Sequence, residues 1–352
     1  MDEFTLFPRE KIKHASATPL LYFYREPATE KAPLVVFIPG AGHRARIAYG
    51  VSTSRPEDFL DYWLEQQGYG FLAISAPSHP LFDPALFRDL TIERWSDAIA
   101  ETITDVAGTS NPPEIILCVW SLASAFAGHI ASCLKGRGID VSALIPLAAS
   151  APLPRPGGVQ GLTERTTEIG LWNVADSLVN GVRRGEIWEK EIAEIEAELG
   201  RLVISPDAYA REILTATPIG LVPGGFERNS GTPDQKLPSI PLAAPIVPTD
   251  AKDYRHALSD QQGWSYMNCL LVIREYSAAI ANGMHVSDEA WAAISHLTAK
   301  LPSHLCARVQ GGHFLFVGER GAKETALAIV ALRQKSKAFK SELGAILAAL
   351  SK

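Results

Sequence analysis

The chain has 352 residues, enough for one large domain carrying an insertion or for two ordinary domains. Its hydrophobic share of 47% and charged share of 20% lie in the ordinary globular range, which excludes a largely disordered chain. The formal net charge is -6 with acids and bases mixed along the sequence, so there is no concentrated basic face to make nucleic acid the main partner.

The opening MDEFTLFPREKIKH has no apolar core of signal-peptide length, and no run reaches the ~18 apolar residues of a membrane span. Cys118, Cys133, Cys269 and Cys306 fall in no metal-like spacing, and three of them lie inside apolar runs, where a small buried thiol is the plain reading. The expectation is a cytoplasmic protein that holds neither metal nor cofactor.

PLVVFIPG (33–40) is a β-branched run ended by Pro and Gly, the pattern of a buried strand. In RPEDFLDYWLEQQGYG, Phe59, Leu60, Trp63 and Leu64 share a helical face that Gly68 stops. FLAIS (71–75) predicts a second strand, and a helix begins near Thr91 with Ile92, Trp95, Ile99 and Ile103 in register. EIILCVW (114–120) predicts a third strand that runs straight into the helix LASAFAGHIASCL (122–134), and ALIPLAA (143–149) a fourth. Such alternation gives parallel strands with helices on both faces.

Residues 151–239 are rich in Pro, Gly and charge, interrupted by an acidic helix around 186–199 whose Trp188, Ile192, Ile195 and Leu199 form one apolar stripe. A stretch that breaks the rhythm and lets it resume is expected to be a lid, inserted into a core of residues 1–150 and 240–352. SIPLAAPIVPTD (239–250) resumes the strands. A helix around 260–281 capped by Asn282-Gly283, a helix from Ser287 to Lys300 and the strand HLCARVQ (304–310) follow. GERGAKETALAIVALR starts the closing helix, and the tail can form one more amphipathic helix.

The strongest chemical signal is EIILCVWSLASAFAGHIA. A serine held at a tight strand-to-helix turn projects its hydroxyl from the carboxyl edge of the sheet, and the next backbone N–H, at Leu122, can help hold an oxyanion. Ala123 is suitably small, but Val119 is larger than such a turn usually accepts. The alternative is that Ser121 only caps the helix. VQGGHFLFVGERG is the second signal. His313 follows a strand and two glycines and precedes the closing helix, so its imidazole can reach the same edge, with Phe314, Leu315 and Phe316 as an apolar wall. The first strand ends in FIPGAGHRARIAYG, where a Gly-Ala-Gly turn makes the N–H of Ala41 or Gly42 the natural second oxyanion donor. His43 and His79 are expected at the mouth of the site, with His43 and Trp120 beside substrate; ordinary loop polarity is the alternative for both histidines.

In this order Pro39-Gly40-Ala41-Gly42-His43, Trp120-Ser121-Leu122-Ala123 and Gly311-Gly312-His313-Phe314 resemble the motifs of the α/β-hydrolases, over residues 30–150 and 240–335 or so. The nearest flavour is the esterase- and thioesterase-like branch with a large lid. The resemblance implies an α/β fold with a mostly parallel central sheet, helices on both faces and a mainly helical lid after the sixth strand. It also implies a Ser…acid…His order and an acyl-enzyme, with the acid after the strand that follows the lid. If SIPLAAPIVP is that strand, Asp250 and Asp253 are the candidates; if NCLLVI (268–273) is, Glu275 is. The helix formers of 260–281 favour the first register, and Asp253 is preferred because Asp250 follows a threonine and can close an Asx turn. A dyad with both aspartates solvated is the alternative.

The expected activity is therefore cleavage of an ester or thioester by Ser121, His313 and Asp253. Leu171, Trp172, Trp188, Leu221 and Phe226, with Trp120, suggest an apolar pocket for a hydrophobic small-molecule or carrier-bound acyl substrate. A cyclase, isomerase, lyase or acyltransferase on the same fold, or a binding protein without chemistry, is the alternative.

Overall fold

The computed structural model describes residues 4–108, 113–153, 170–222, 240–281 and 287–350; Phe226 and the Asn282-Gly283 pair lie outside them. Before residue 150 come strands β1 (Glu10–Ala15), β2 (Thr18–Arg25), β3 (Leu34–Ile38), β4 (Gly70–Ser75), β5 (Ile115–Trp120) and β6 (Val141–Leu147). Helices α1 (Leu60–Gln66), α2 (Ile92–Ala107) and α3 (Ala127–Gly136) stand between them. Residues 170–222 hold the short strands β7 (Leu171–Trp172), β8 (Leu178–Val179), β9 (Val182–Arg183) and β10 (Thr217–Pro218), with α4 (Arg184–Leu199) and the single turn α5 (Pro206–Ala208). β11 (Ile246–Pro248), α6 (Tyr254–Ala281), α7 (Asp288–His304), β12 (Ala307–Val309) and α8 (Glu319–Ala349) complete the chain.

Eight strands form one sheet in the order β1-β2-β4-β3-β5-β6-β11-β12. β2 runs antiparallel to both its neighbours and every other pair is parallel. A sheet of this order and these directions, with helices on both faces, is the α/β-hydrolase fold. Successive strand residues point to opposite faces. Val35, Phe37, Ile116, Cys118 and Trp120 pack with Phe316 and the α8 residues Ile329, Leu332 and Phe339. Leu34, Val36, Ile38, Leu117 and Val119 pack with Trp95, Ile99 and Ile130 of α2 and α3. Because β3 pairs with β4 on one side and β5 on the other, the connections leaving β3 and β5 diverge and open a crevice at their carboxyl ends.

The sequence pattern carries no sign of the β1–β2 hairpin. Its turn residues Ser16 and Ala17 are both left-handed (φ 45° and 55°), as a two-residue hairpin turn requires, yet neither is the Asn or Gly that marks one. Ser16 is held there from α2, donating its N–H to Glu101 and its hydroxyl to Asp97. The strand expected at 239–250 shrinks to β11 and an isolated bridge between Ala243 and Leu144, since Pro241 and Pro245 bring no N–H to a ladder. The closing helix and the tail are one helix of 31 residues, not two. Ile329, Leu332, Ser336, Phe339 and Leu343 keep a single buried stripe at steps of three and four, and neither Gly nor Pro interrupts it. Among the described residues no helix is long and apolar enough to cross a membrane.

Candidate active site

β5 delivers Ser121 to the crevice. A 3-10 turn over Ser121–Phe126 joins the strand to α3, and Ser121 takes a φ of 53°, a left-handed conformation that costs a non-glycine residue about 1–3 kcal/mol. The fully buried Trp120 before it and Ala123 after it hold the turn. Gly40 makes room for it, since a Cβ there would stand 2.7 Å from Ser121 Cβ. Val119 is also fully buried, paired with Ile38 and Pro146, so its bulk goes into the core under α2 and α3.

β12 leads into the loop that carries His313. Thr249 and Asp250 donate their N–H groups to Gly311 O at 3.1 and 2.9 Å, tying this loop to the end of β11. The Trp120 indole donates to His313 O at 3.0 Å, and the two rings lie 5.1 Å apart. The residue preceding Ser121 thus fastens the histidine loop to the same sheet edge. His313 Nδ1 and Asp253 Oδ2 are 3.1 Å apart. Among the described residues this is the ring's hydrogen bond; Ser121 Oγ is not bonded to it here. Asp250 closes the turn before Asp253, accepting Lys252 N at 2.9 Å. Glu275 is exposed on α6, paired with Arg274. Burial works against ionisation of Asp253, but the hydrogen bond from His313 and the charges of His313, His256 and Arg255 outweigh it and hold the carboxyl below its usual range.

The turn after β3 is bound to residues 209–217. Arg44 N donates to Ile213 O (2.8 Å) and Thr215 N to Gly42 O (2.9 Å). Gly42 N donates to the buried Thr217 Oγ1 at 2.8 Å, so of the two candidates for the second oxyanion donor, Ala41 and Gly42, Gly42 is committed elsewhere. Ala41 and Leu122 line one small cavity together with Gly40, His43 and Leu221.

His43 is buried at 4% exposure, not set at an open mouth. It packs against Trp120, Trp188 and Phe314, with ring centroids between 4.4 and 5.6 Å away. Its Nδ1 lies 3.1 Å from Ala41 O, which can only accept, so Nδ1 carries the proton. In the neutral ring Nε2 then accepts from Tyr209 O–H at 2.8 Å. Burial holds its pKa down to about 3, with the charge of His313 adding to the effect, so the ring is neutral at any ordinary pH. His79 is exposed on the loop after β4, where its carbonyl accepts from Arg44.

Among the described residues the side chains expected to line an apolar pocket are packed away. Leu171, Trp172, Trp188 and Leu221 are buried at 1–5% exposure because they pack into the two cores, and the cavity beside Ala41 and Leu122 measures ≈ 20 Å³, room for about one water.

Several residues of the site escape sequence reasoning. Glu191 on α4 accepts the Phe314 N–H at 2.8 Å. Burial pushes its carboxyl up to about 7, and the charges of Asp253 and Asp250 act the same way, against the Phe314 N–H and His313. The available signal is its phase: three residues after Trp188 and four before Ile195, it is an acid on the apolar stripe. His256, also unread, sets its ring 5.2 Å from that of His313 at a tilt of 33° and bonds Asp260 at 2.8 Å, an i, i+4 pair. Asp253, His256 and His313 offer donor atoms within 4.8 Å of one another, a set a metal ion could use. Each histidine already sets Nδ1 on a carboxylate, so hydrogen bonds account for the cluster.

No family model and no curated protein sequence matches the chain. Among solved structures it is similar to the thioesterase domain from the curacin biosynthetic pathway, at 13% identity over 91% of this chain and 98% of that one, with a TM-score of 0.46. It is similar to MenH from S. aureus at 14% identity over 90% and 98% of the two chains, TM-score 0.48. A thermophilic esterase from Thermogutta terrifontis gives 14%, 93%, 98% and 0.46 respectively. The fold is established by the sheet order and directions above, and the chemistry has to be argued from the side chains.

Proposed function

We propose that the chain is a serine hydrolase of ester or thioester bonds, with Ser121 as nucleophile, His313 as general base and acid, and Asp253 as the carboxylate that orients His313. One observation carries this reading: the His313–Asp253 bond lies on a loop that Trp120 fastens to the strand ending in the left-handed Ser121.

In this scheme Nδ1–H of His313 stays on ionised Asp253, which leaves Nε2 to take the Ser121 proton. The serine oxygen attacks the carbonyl carbon, and the N–H groups of Leu122 and Ala41 hold the oxyanion. Collapse of the tetrahedral intermediate breaks the bond to the alcohol or thiol, which leaves with the proton from His313. Water then repeats the sequence on the acyl-serine and releases the acid. Keeping His43 neutral avoids a second positive charge beside the imidazolium. Residues 151–239 are the lid in this reading. Ile38, Trp95, Leu122, Phe126 and Leu221 around the small cavity beside Ala41 favour an apolar acyl group.

The test is labelling by a fluorophosphonate and hydrolysis of aryl esters and acyl thioesters. An adduct mapped to Ser121 by mass spectrometry is expected, with a loss of about 10³-fold or more in Ser121→Ala and His313→Ala. Unchanged turnover in folded Ser121→Ala dismisses the scheme. An acyl adduct that resists water but passes to an added alcohol or thiol assigns acyl transfer instead.

A further inference from the structure

The catalytic scheme gives no task to Glu191, although its carboxylate touches the loop that carries the base. Glu191 comes from α4, beside the buried Trp188 and Ile192, and its carboxylate bonds the histidine loop. Its Oε1 accepts the N–H of Phe314, the residue after His313. On the other side of the histidine, a Cβ at Gly312 would fall 2.6 Å from the same Oε1 and 3.0 Å from Cδ. Gly312 is not in a left-handed conformation, so the backbone angle would admit an alanine there, and it is the carboxylate at the end of the Glu191 side chain that would have to shift.

The peptide unit between His313 and Phe314 is therefore pinned at both ends. Its carbonyl accepts from Trp120 at 3.0 Å, and its N–H donates to Glu191 at 2.8 Å. One pin stands beside the nucleophile and the other on α4. A peptide plane fixed at both polar atoms cannot rotate, and rotation of this plane would swing the imidazole away from Asp253. We propose that Glu191 is a positioning residue for His313, holding the histidine loop in register through the Phe314 N–H and so coupling the seating of α4 to the general base. The effect on rate rests on the serine-hydrolase reading; the effect on the loop does not.

Three variants of the full chain test this. Glu191→Gln keeps an oxygen acceptor for the Phe314 N–H, Glu191→Ala removes it, and Gly312→Ala drives the carboxylate off while leaving Glu191 present. Hydrogen exchange of the Phe314 amide should rise about 10-fold or more in Glu191→Ala and Gly312→Ala and stay near wild type in Glu191→Gln. Turnover should follow: kcat lower by about 10- to 100-fold with KM nearly unchanged in the first two, and within about 3-fold of wild type in Glu191→Gln. Unchanged Phe314 exchange in both Glu191→Ala and Gly312→Ala overturns the proposal. So does equal loss of kcat in Glu191→Ala and Glu191→Gln, which would make charge or folding the cause. Full activity in Ser121→Ala would remove the hydrolase reading while leaving the exchange result to decide the pin by itself.

Discussion

The core and residues 170–222 meet at one sheet edge, but they bring different things to it. The core brings side chains that act on side chains, with Ser121 at the end of β5 and Asp253 on His313. Residues 170–222 bring, besides the Tyr209 hydroxyl on His43, side-chain acceptors for the core's backbone: Glu191 takes the N–H of Phe314, and Thr217 takes the N–H of Gly42. The two carboxylates on the histidine loop show the consequence. Asp253 faces His313, His256 and Arg255, and the hydrogen bond from His313 together with the electrostatic pull of the three groups holds its pKa down in spite of burial. Glu191 has burial and the carboxylates of Asp253 and Asp250 against it, with an amide as its bonded partner, and is pushed up to about 7. A carboxylate bonded to an imidazole stays ionised; one bonded to an amide, desolvated and close to other carboxylates, is more easily neutralised. In the proposed scheme the permanent charge thus stands on the core side, where a developing imidazolium needs it.

Replacing Asp253 gives the largest contrast. Asp253→Asn keeps the shape but no longer selects the Nδ1–H tautomer or balances the imidazolium, so kcat should fall about 10³- to 10⁴-fold. Glu191→Gln, which loses only charge, should stay near wild type. Steady-state kinetics of the pair, both checked for fold by circular dichroism, decides it. Equal losses would erase the division of labour between the two carboxylates.

The second contrast is in stability against pH. The ordinary pKa of a glutamate, 4.5, describes Glu191 in the unfolded chain, and about 7 describes it in the folded one. The folded state therefore holds the proton more tightly. The contribution of Glu191 is most favourable below pH ~4.5 and declines as pH rises through 7. Each tenfold difference in proton affinity between the two states is worth about 1.4 kcal/mol, and some solvent contact remains, so about 2–3 kcal/mol is expected. The unfolding free energy of wild type relative to Glu191→Gln, from urea melts, should fall by that amount between pH 4.5 and pH 8. A difference that stays flat across this range would mean that Glu191 is ionised as readily in the folded chain as in the unfolded one.

The core side of this comparison was far more legible in the sequence than the other. β3, β5 and β6 are continuous apolar runs because both faces of a parallel sheet are covered, and each ends in a recognisable turn. Ser121, His313 and Asp253 each follow a strand of the sheet directly or by a short loop, so local pattern and topology pointed to one edge. Nothing local announces a contact between Gly42 and Thr217, or between His43 and Tyr209, which are long-range bonds between irregular segments. Glu191 is hidden for another reason. Surrounded by Glu186, Glu189, Glu194 and Glu196, it reads as one more solvated acid, and only its phase against Trp188 and Ile195 sets it apart. Trp172 and Trp188 mislead in the opposite sense: an aromatic that lines a pocket and one that fills a core look alike until the packing is known.

The smallest expected effect tests the other backbone grip. Thr217→Val keeps the shape of the side chain but removes the oxygen that accepts the Gly42 N–H, a bond buried at 2.8 Å. An unpaired buried N–H should cost about 1–2 kcal/mol of stability, read in the same urea melts. The kinetic consequence separates two arrangements of the oxyanion turn. If Ala41 and Leu122 are the donors to the oxyanion, Gly42 N is a fastening point alone, and kcat on an aryl ester should change by less than about 3-fold. A rise of about 10-fold or more would mean that Thr217 competes with the substrate oxygen for Gly42 N, and that residues 170–222 restrain the site as well as brace it.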